Sequence, residues 1–366
     1  MGLSKVGIIP EFVISANGAD VTKKINERLI SLRYSDSAGL KSDTFEFTVS
    51  DAIDDATIEM PKVGAKLALY LGYDGKTQRM GEFVVDEVER EGWPDTLTVR
   101  AHAAVFNEGK NGEKALQSQK NRRWKKAKFK DIAEKIAKDN KLTATVSSSL
   151  TSIEVPSTHQ TDESDLHFLI RIARRYDGVV KVAGGKLMVV KKAEGKTMSG
   201  STLSFDIASE DVTSYRMTMA KREESGTVRA YWHEIKKGKR HAVTVGEGEP
   251  ETSLKMHYTD ETSAKEAARA ELARRGRQSA KLSLELPGRP ELVAESTISL
   301  SGFRSGVNGS WTVTTVEHTL NSAGYMCSIE AEVKSAEAGS PPSTSKTSKA
   351  TEGEDDPEDA VDKAHD

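Results

Sequence analysis

The stretches FKDIAEKIA (residues 129–137) and SDLHFLIRIA (residues 164–173) carry helical patterns in a chain otherwise dominated by strand patterns. Apolar residues of the first stretch recur with the period of an amphipathic helix, and the predicted buried stripe is Phe129, Ile132, Ala133, Ile136 and Ala137. In the second stretch, Ser164 is a favourable helix N-cap and Gly178 is placed to end the helix. The side chains expected to be buried there are Leu166, Leu169, Ile172, Ala173 and Tyr176. Two short helices are therefore predicted in the middle of the chain.

Before these helices, residues 1–105 alternate apolar and polar side chains, which is the pattern of strands with one buried face. Residues 44–50 show this alternation without interruption. The pair Asp74 and Gly75 supplies a hairpin turn, and residues 92–95 supply a second turn. We therefore expect consecutive hairpins that form a small, tube-like antiparallel β-barrel.

After the helices, strand patterns return, and an Ala-rich helix interrupts them between Thr259 and Arg275. Ser263 and Glu266 have the spacing of a capping box, and Gly276 is placed to end this helix. The expected strands cover residues 215–219, 228–235, 281–286, 292–300, 311–316 and 325–333. They predict a second β block that is similar to the first.

These patterns divide the chain into four parts. We expect an N-terminal tube-like β domain (1–105), an α+β insert domain (106–202), a second tube-like β domain with one helix (203–334) and a disordered tail (335–366). The tail is rich in Ser, Thr, Pro and acidic residues and has few side chains to bury. The expected fold class is therefore mixed, β-rich α+β, with two tube-like antiparallel β-barrel domains flanking a small α+β insert.

Length and composition limit the class of protein. The 366 residues exceed the roughly 250–300 residues at which one hydrophobic core stops growing, so several domains are expected. No apolar run approaches the roughly 18 residues of a membrane span, and we expect no membrane partner. Lys and Arg (53) nearly balance Asp and Glu (56), so the net charge of −3 gives no overall attraction to nucleic acid. The single cysteine, Cys327, excludes an internal disulfide.

Residue types that perform catalysis or bind metals do not occur in recognised arrangements. The eight histidines lack metal-ligand spacing, and the sequence has no phosphate-binding loop, dinucleotide fingerprint or serine nucleophile elbow. We interpret three histidines as polar residues on the wet or interfacial face of a strand, namely His102, His233 and His318. His167 is expected on a helix surface, and Cys327 is expected to be an inert core thiol. Neither enzymatic activity nor a cofactor is therefore expected.

A peptidoglycan hydrolase is the main enzymatic alternative, because paired carboxylates can cleave a glycan. The chain has 56 acidic residues, so chance pairs carry no information. The four tryptophans do not gather into an aromatic-lined cleft but are spread singly through predicted turns and strands, at Trp93, Trp124, Trp232 and Trp311. This alternative therefore has little support in the sequence.

The densest positive charge surrounds Trp124, between Lys120 and Lys130. Basic residues around an aromatic ring can bind a nucleic-acid backbone, and the candidate partner-contact patch is Arg122, Arg123, Trp124, Lys125 and Lys126. A solvated loop, with Trp124 packed on the following helix, is the simpler interpretation. Because positive charge is unfavourable at a helix N-terminus, we expect a partner or an acidic neighbour to compensate it.

Three parts of the chain resemble the late control protein D family, the hub proteins of P2-like and Mu-like contractile tails, and there is a more distant likeness to the hub portion of type VI secretion spike proteins. The most specific match is a two-helix signature consisting of Ile132, Ile136, Ser164, Asp165, Phe168 and Leu169. The other resembling stretches are residues 10–12, 20–22, 42–45, 81–86, 92–97, 266–270, 287–292, 311–313 and 318–320. The chain departs from the family at residues 294–296, where a glycine before the strand would be usual.

The resemblance implies a structural baseplate hub of a contractile phage tail or phage-tail-like particle. In such a hub, a homotrimer with two tube-like domains per subunit forms a pseudo-sixfold ring that joins the sixfold tail tube to the threefold spike. The implied partners are further copies of the chain, the trimeric tail spike, the tail tube or tape-measure protein and the baseplate wedge proteins, with DNA only as cargo through the lumen. The implied location is the virion tail baseplate, after assembly in the bacterial host cytoplasm. The "late control" name also suggests a DNA-binding late-gene regulator, but the sequence shows no helix-turn-helix.

Overall fold

The computed structural model describes residues 9–39, 42–51, 58–103, 116–183, 186–192, 203–219, 226–234, 237–278 and 280–333. Those residues form a β-rich chain with few helices. Within them, no helix is long and apolar enough to cross a membrane. The expected disordered tail (335–366) and the predicted domain boundaries near residues 105 and 202 lie outside the described residues, so they stay predictions.

The N-terminal β block consists of antiparallel strands in sequential pairs. Its elements are β1 (Pro10–Ala16), β2 (Ala19–Asp20), α1 (Thr22–Asn26), β3 (Leu29–Ser37), β4 (Thr44–Ser50), β5 (Lys66–Tyr73), β6 (Lys76–Glu91) and β7 (Thr96–Ala103). Strands β5 and β6 meet at the predicted turn, where Asp74 and Gly75 adopt positive φ angles of 49° and 78°. Phe45, Phe47 and Val49 of β4 are buried, as the alternation predicts.

The insert combines short strands with the two predicted helices. Its elements are β8 (Gln119–Trp124), β9 (Ala127–Lys128), α2 (Phe129–Asp139), β10 (Thr143–Val146), α3 (Ser148–Thr151), β11 (Glu154–Val155), β12 (Thr158–Ser164), α4 (Asp165–Arg175), β13 (Gly178–Ala183) and β14 (Lys186–Lys191). Every residue of the predicted stripe of α2 is buried. The Ser164 hydroxyl caps α4 by accepting a hydrogen bond from the His167 backbone N–H at 3.2 Å. Both helices pack on the three-stranded sheet β10–β14–β13.

The end of α4 differs from the prediction. Asp177, and not Gly178, adopts the left-handed conformation after the helix, with φ 58°. Asp is one of the residues that enter this region more readily than most, and the carboxylate of Asp177 is held by Arg277 of a distant helix. Gly178 instead begins β13, where a Cβ atom would lie 3.1 Å from the Ala173 carbonyl oxygen. Close packing, and not helix termination, therefore favours the glycine.

The C-terminal block contains the remaining strands and a long helix. Its elements are β15 (Ser204–Ala208), β16 (Ser214–Met219), β17 (Thr227–Glu234), β18 (Lys239–Gly246), β19 (Glu251–Tyr258), α5 (Glu261–Gln278), β20 (Ala280–Pro287), β21 (Thr297–Ser301), β22 (Gly309–Asn321) and β23 (Gly324–Val333). The strand expected at residues 292–300 begins only at Thr297, because a turn closed by a hydrogen bond from the Leu292 N–H to the Arg289 carbonyl (3.0 Å) precedes it.

Helix α5 also differs from the prediction at both ends. Asp260 caps its start by accepting a hydrogen bond from the Ser263 backbone N–H at 2.8 Å, in place of the predicted capping box. The helix continues through Gly276, and Arg277 forms a buried ion pair with Asp177 of the insert. A glycine at this position commonly ends a helix. Here the ion pair stabilises the last turn, so α5 continues beyond Gly276.

The two β blocks share one continuous sheet, which the sequence pattern did not predict. Strand β3 pairs antiparallel with β22, from Ser31 opposite Asn321 to Ser37 opposite Thr315. The strand order is β16-β20-β23-β22-β3-β4-β7-β6-β5-β1-β2, with β21 and then β15 beside β22. One buried apolar cluster extends through both blocks.

A smaller sheet, β18–β17–β19, lies apart from the continuous sheet, and α5 packs against it. Its core consists of Val228, Ala230, Tyr258, Ala264, Ala267 and Ala268. The alanines allow the helix to approach the sheet closely. The sequence predicted the helix within the second β block, but it did not predict that the helix and a three-stranded sheet would form a core of their own.

Candidate functional site

The pairing of β3 with β22 buries a polar cluster between the two β blocks. His318 of β22 is fully buried, and its Nδ1 lies 2.8 Å from the Tyr325 hydroxyl and 3.2 Å from the Cys327 Sγ. The Tyr34 ring of β3 stacks on the His318 ring, with 5.5 Å between the ring centroids. Of the two predicted positions for His318, a wet or an interfacial strand face, the wet face was wrong, because the residue is buried at the interface of the two blocks and aromatic residues of both enclose it.

A cysteine beside a histidine could form a nucleophile and base pair, but burial opposes the charged form of each. Burial lowers the pKa of His318 to about 4 and raises the pKa of Cys327 to about 12. At neutral pH both groups are therefore neutral, and the thiolate needed for nucleophilic attack does not form. Cys327 is the buried core thiol that the sequence predicts. Among the described residues, no group of three His, Cys, Asp or Glu side chains is placed to hold a metal ion.

A second polar cluster joins the insert to both β blocks. Lys181 of β13 places its Nζ 3.1 Å from an Asp43 carboxylate oxygen and 3.8 Å from one of Asp36. Asp36 also accepts a hydrogen bond from the Ala294 backbone N–H at 2.8 Å. Glu295 accepts one from the Gly39 backbone N–H at 3.1 Å. We call Asp36, Asp43, Lys181 and Glu295 the junction cluster. Each of the three blocks contributes at least one of its charges.

The junction cluster contains three carboxyl groups and one ammonium group. Burial raises the pKa of Glu295 to about 7, and burial together with the neighbouring Asp36 carboxylate raises the pKa of Asp43 to about 6. Burial alone would lower the pKa of Lys181, but the Asp43 and Asp36 carboxylates raise it. The net charge of the cluster therefore changes near neutral pH, where ordinary carboxyl groups are already ionised.

Trp124, the aromatic centre of the candidate partner patch, is buried inside the insert. Its ring stacks on Phe168 of α4 with 5.4 Å between centroids, and its indole N–H donates a hydrogen bond to Gln160 Oε1 at 3.1 Å. Trp124 therefore packs against a helix, as the simpler interpretation of the sequence predicts, but it lies at the end of strand β8 and not in a loop. Its ring is not available to stack on a nucleobase.

Asp165, the first residue of α4, compensates the positive charge of β8. Its carboxylate accepts hydrogen bonds from the Lys120 ammonium, the Asn140 amide (3.0 Å) and the Gln160 amide (2.9 Å), and Arg122 lies 3.5 Å away. Burial would raise the pKa of Asp165, but these donors outweigh burial and lower it. The acidic neighbour expected from the sequence is therefore present.

The remaining cations of the candidate patch face solvent. Lys126 pairs with Glu154 at 2.5 Å. Arg123 and Lys125 are exposed and have no ionic partner among the residues that the structure describes. The five residues therefore do not form one surface, since Arg122 and Trp124 point inward. A partner contact by Arg123, Lys125 and Lys126 stays a prediction.

The residues of the two-helix signature lie in the core of the insert and at the start of α4. Ile132 and Ile136 of α2 share one buried apolar cluster with Phe168 and Leu169 of α4. The other two, Ser164 and Asp165, provide the helix cap and the buried carboxylate described above. The signature therefore stabilises the insert, and its residues are not exposed for binding.

The continuous sheet has one buried face and one polar face. Eight consecutive strands, β16-β20-β23-β22-β3-β4-β7-β6, form its middle. By strand register, the acidic side chains on their polar face include Glu46, Glu82, Glu87, Glu89, Glu91, Glu285, Glu317, Glu330 and Glu332, and the basic ones include Arg33, Arg79, Arg100, Arg216 and Lys281. Negative charge therefore predominates on this face.

Two strands at the ends of this run leave an open edge. Among the described strands, β16 pairs only with β20, and residues 86–91 of β6 pair only with β7. Tyr215 and Met219 lie on the apolar side of β16, yet 44% and 66% of their surface is exposed. Unpaired backbone groups beside exposed apolar side chains can accept a strand from another chain.

Known proteins with similar sequences or folds come from phage tails and related assemblies. Residues 38–324 match the model of a family described as phage tail baseplate hub (GPD). The chain is 30% identical, over 372 aligned positions, to the probable baseplate hub protein of Escherichia phage 186, covering 89% of this chain and 94% of that protein. Neither a peptidoglycan hydrolase nor a DNA-binding regulator gains support from these similarities.

Two solved structures share the fold at low sequence identity. The 43 kDa tail protein of prophage MuSo2 from Shewanella oneidensis has a TM-score of 0.62 and 15% identity, covering 88% of this chain and 98% of that chain. An E. coli component of the type VI secretion system, described as structurally similar to T4 bacteriophage tail proteins, has a TM-score of 0.53 and 12% identity, covering 86% of this chain and 76% of that chain.

Proposed function

The chain belongs to the phage tail baseplate hub (GPD) family, and from this premise we propose that it is the structural hub of a contractile phage tail or phage-tail-like particle. Three copies form a pseudo-sixfold ring that joins the sixfold tail tube to the threefold spike. The sequence resemblance supplies the number of copies, and the continuous sheet supports the way in which the copies join.

The observation that carries the proposal is the run of eight strands between two open edges. The C-terminal block supplies four of these strands and the N-terminal block supplies the other four, so three copies contain six four-stranded units. A trimer of this kind can match a sixfold neighbour. Head-to-tail pairing of β16 with the open part of β6 would close twenty-four strands into a barrel. Barrels of about 16–18 strands already enclose an aqueous channel, so this barrel has an open lumen.

The two open edges are chemically complementary. Residues 86–91 of β6 carry four acids and one arginine, whereas Arg216 is the charged residue of β16, and the adjacent strand β20 carries both Lys281 and Glu285. Opposite charges orient two chains as they meet and disfavour the wrong pairing. The same pairing would cover the exposed apolar side chains of Tyr215 and Met219.

The polar face of the sheet is the face that we assign to the lumen. The opposite face is buried against the apolar cluster of the two β blocks and is not available to line a channel. The excess of glutamates on the polar face repels the phosphates of DNA. DNA or the tape-measure protein could therefore pass through the ring without binding tightly.

Further partners follow from the same resemblance. We propose the trimeric tail spike on one side of the ring, the tail tube or tape-measure protein on the other and baseplate wedge proteins around it. The hub would reach the virion baseplate after assembly in the bacterial host cytoplasm. No covalent bond is made or broken in this role, so we propose that the chain is not an enzyme.

The association state of the purified chain tests the ring. Light scattering after gel filtration is expected to give about 120 kDa, three times the 39.9 kDa of one chain. Met219→Glu places a charge on the exposed edge and is expected to shift the mass towards about 40 kDa with an unchanged circular dichroism spectrum. Met256→Glu is the matched control, because Met256 is also exposed (42%) but lies on β19.

Two results would contradict the ring. One is a wild-type monomer that does not co-purify with a spike protein. The other is a pair of methionine variants with the same mass, which would show that the β16 edge does not contribute to association.

A further inference from the structure

The small sheet β18–β17–β19 has one face against α5 and a second face that no described element covers. Alternate residues of β17 point towards α5, so Arg229, Tyr231 and His233 lie on the second face. The register partners of Tyr231 and His233 on the neighbouring strands are His257 and Arg240. We call these five residues the open face.

The planar side chains of the open face contact one another. The Arg240 guanidinium lies 3.6 Å from the centroid of the Tyr231 ring. The ring centroids of Tyr231 and His257 lie 6.2 Å apart, and those of His257 and His233 lie 5.7 Å apart. Stacking of this kind holds the donor groups in a fixed arrangement, which lowers the entropy lost when a ligand binds.

Positive charge on and beside the open face is not neutralised within the described residues. Arg229 pairs with Glu251 at 2.7 Å. Arg240 and the flanking Lys239 and Lys255 are exposed, however, and have no ionic partner in the described ranges. An arginine whose donors are free suits a carboxylate ligand, because its planar fork matches the two carboxylate oxygens.

The C-terminal end of the same chain has the opposite charge. Residues 351–366 contain eight acidic residues and one lysine. The last described residue, Val333, ends β23, which packs against α5, so the tail begins beside the helix whose sheet carries the open face. Residues 334–350 can span about 55 Å when extended. This length exceeds the roughly 20 Å thickness of a helix packed on a sheet.

We propose that residues 351–366 dock on the open face of their own chain, with carboxylates paired to Arg240, His233 and His257. The docked tail shields this basic and aromatic surface from other polyanions. Because the pairing with Arg240 is between exposed charges, it weakens as the salt concentration rises. The proposal does not depend on the hub function.

Zero-length carbodiimide crosslinking of the full-length protein tests this docking, because the reagent joins a carboxylate to an amine only when the two are in contact. Peptide mapping is expected to find tail carboxylates coupled to Lys239 and Lys255. Arg240→Glu is expected to reduce these crosslinks about fivefold or more, and about 0.5 M NaCl is expected to do the same. Arg123→Glu on β8 is the matched control, since it reverses the charge of another exposed strand arginine and should leave the crosslinks unchanged.

Three results would overturn the proposal. In the first, the tail couples mainly to Lys125 or Lys128 of the insert, or equally to all exposed lysines. In the second, the crosslinks survive Arg240→Glu in a variant whose circular dichroism is that of the wild type. In the third, a mixture of heavy-isotope-labelled and unlabelled protein gives crosslinks between chains, which would place the tail on a neighbouring copy.

Discussion

Lys181 of the insert reaches Asp43 of the N-terminal block, with 3.1 Å between the ammonium nitrogen and a carboxylate oxygen. Asp36 lies 3.8 Å from the same nitrogen, and Glu295 of the C-terminal block completes the junction cluster. The three blocks therefore meet at a mostly buried site that has more carboxyl groups than ammonium groups. The stability of this meeting should depend on pH and on each charged partner.

The contribution of the junction cluster to the free energy of unfolding is expected to fall as the pH rises from about 5 to about 7, by an amount on the order of 2 kcal/mol. Buried His318, whose pKa is lowered, contributes to stability in the opposite sense, so the cluster is followed as the difference between the wild type and a cluster variant. A carboxyl group whose pKa is higher in the folded chain contributes its stability below the unfolded pKa and loses it as the pH rises through the folded pKa. Burial raises the pKa of Glu295 to about 7 and that of Asp43 to about 6, which sets this pH range. Urea denaturation at a series of pH values measures the change.

Glu295→Gln identifies the group responsible for this pH dependence. The variant keeps an oxygen that can accept the backbone hydrogen bond from Gly39 but has no proton to lose. Relative to the wild type, the variant should gain stability as the pH rises over the same range, because it lacks the group whose ionisation costs stability. Glu330→Gln, on the exposed polar face, is the control and should follow the wild type. Equal pH dependence in the wild type and Glu295→Gln would refute the assignment.

Lys181→Met is expected to destabilise the chain by about 3 kcal/mol, because it leaves buried carboxylates without their ammonium partner. Asp43→Asn combined with Lys181→Met should recover part of this loss, since one of the unpaired charges is then absent. A double-mutant cycle measured by urea denaturation at pH 7 should give a coupling energy above about 1 kcal/mol. Strictly additive losses would mean that the two residues do not interact in solution.

Asp165→Ala is expected to destabilise the insert by about 3 kcal/mol, because it removes the carboxylate that Lys120, Asn140 and Gln160 contact. Hydrogen exchange should show lost protection in α2 and α4 before it shows loss in the continuous sheet. Since the folded pKa of Asp165 is lowered, its contribution is present above the unfolded pKa and is lost as the pH falls through the folded value. The difference between wild type and variant should therefore shrink in acid.

Arg123→Ala is the control for this experiment, because Arg123 lies on the exposed side of the same strand. Its effect should stay within about 0.5 kcal/mol. If both variants destabilised the insert equally, the inward contacts of β8 would not explain its stability.

The Cys327 thiol is expected to react with a disulfide reagent only when the β3–β22 junction opens. The thiol is buried, and burial raises its pKa to about 12. At pH 8 the native protein should therefore react at least about 100-fold more slowly than the protein unfolded in guanidinium chloride. Fast labelling of the native protein would show that the junction opens readily.

Local patterns in the sequence were sufficient for features that depend on neighbouring residues. The buried stripe of α2, the Ser164 cap of α4 and the turn at Asp74 and Gly75 each occur where the pattern predicts them. The failure at Gly276 has a distant cause. Arg277 pairs with Asp177, a hundred positions away, so the helix continues where a glycine would commonly end it.

The polar clusters could not be predicted in the same way. Lys181 and Asp43 are separated by 138 positions, and no local pattern relates them. The burial of His318 did have a signal, because the residue alternates with the apolar Val316 and Leu320 on one face of β22. The simpler interpretation of the candidate patch places its residues in a loop. They lie instead on and beside strand β8, in which every second side chain points inward, so Lys120 and Arg122 are partly buried while Arg123 is exposed.

The pairing of β3 with β22 also has a consequence for synthesis of the chain. Ser37 is paired with Thr315, about 280 positions later. A ribosome that adds roughly 5–20 residues per second needs between about 15 seconds and a minute to make the intervening chain. During that time the edge of β3 is without its partner strand, and Tyr34 is without the His318 ring that covers it. A nascent chain is therefore most vulnerable to aggregation before its last fifty residues have emerged.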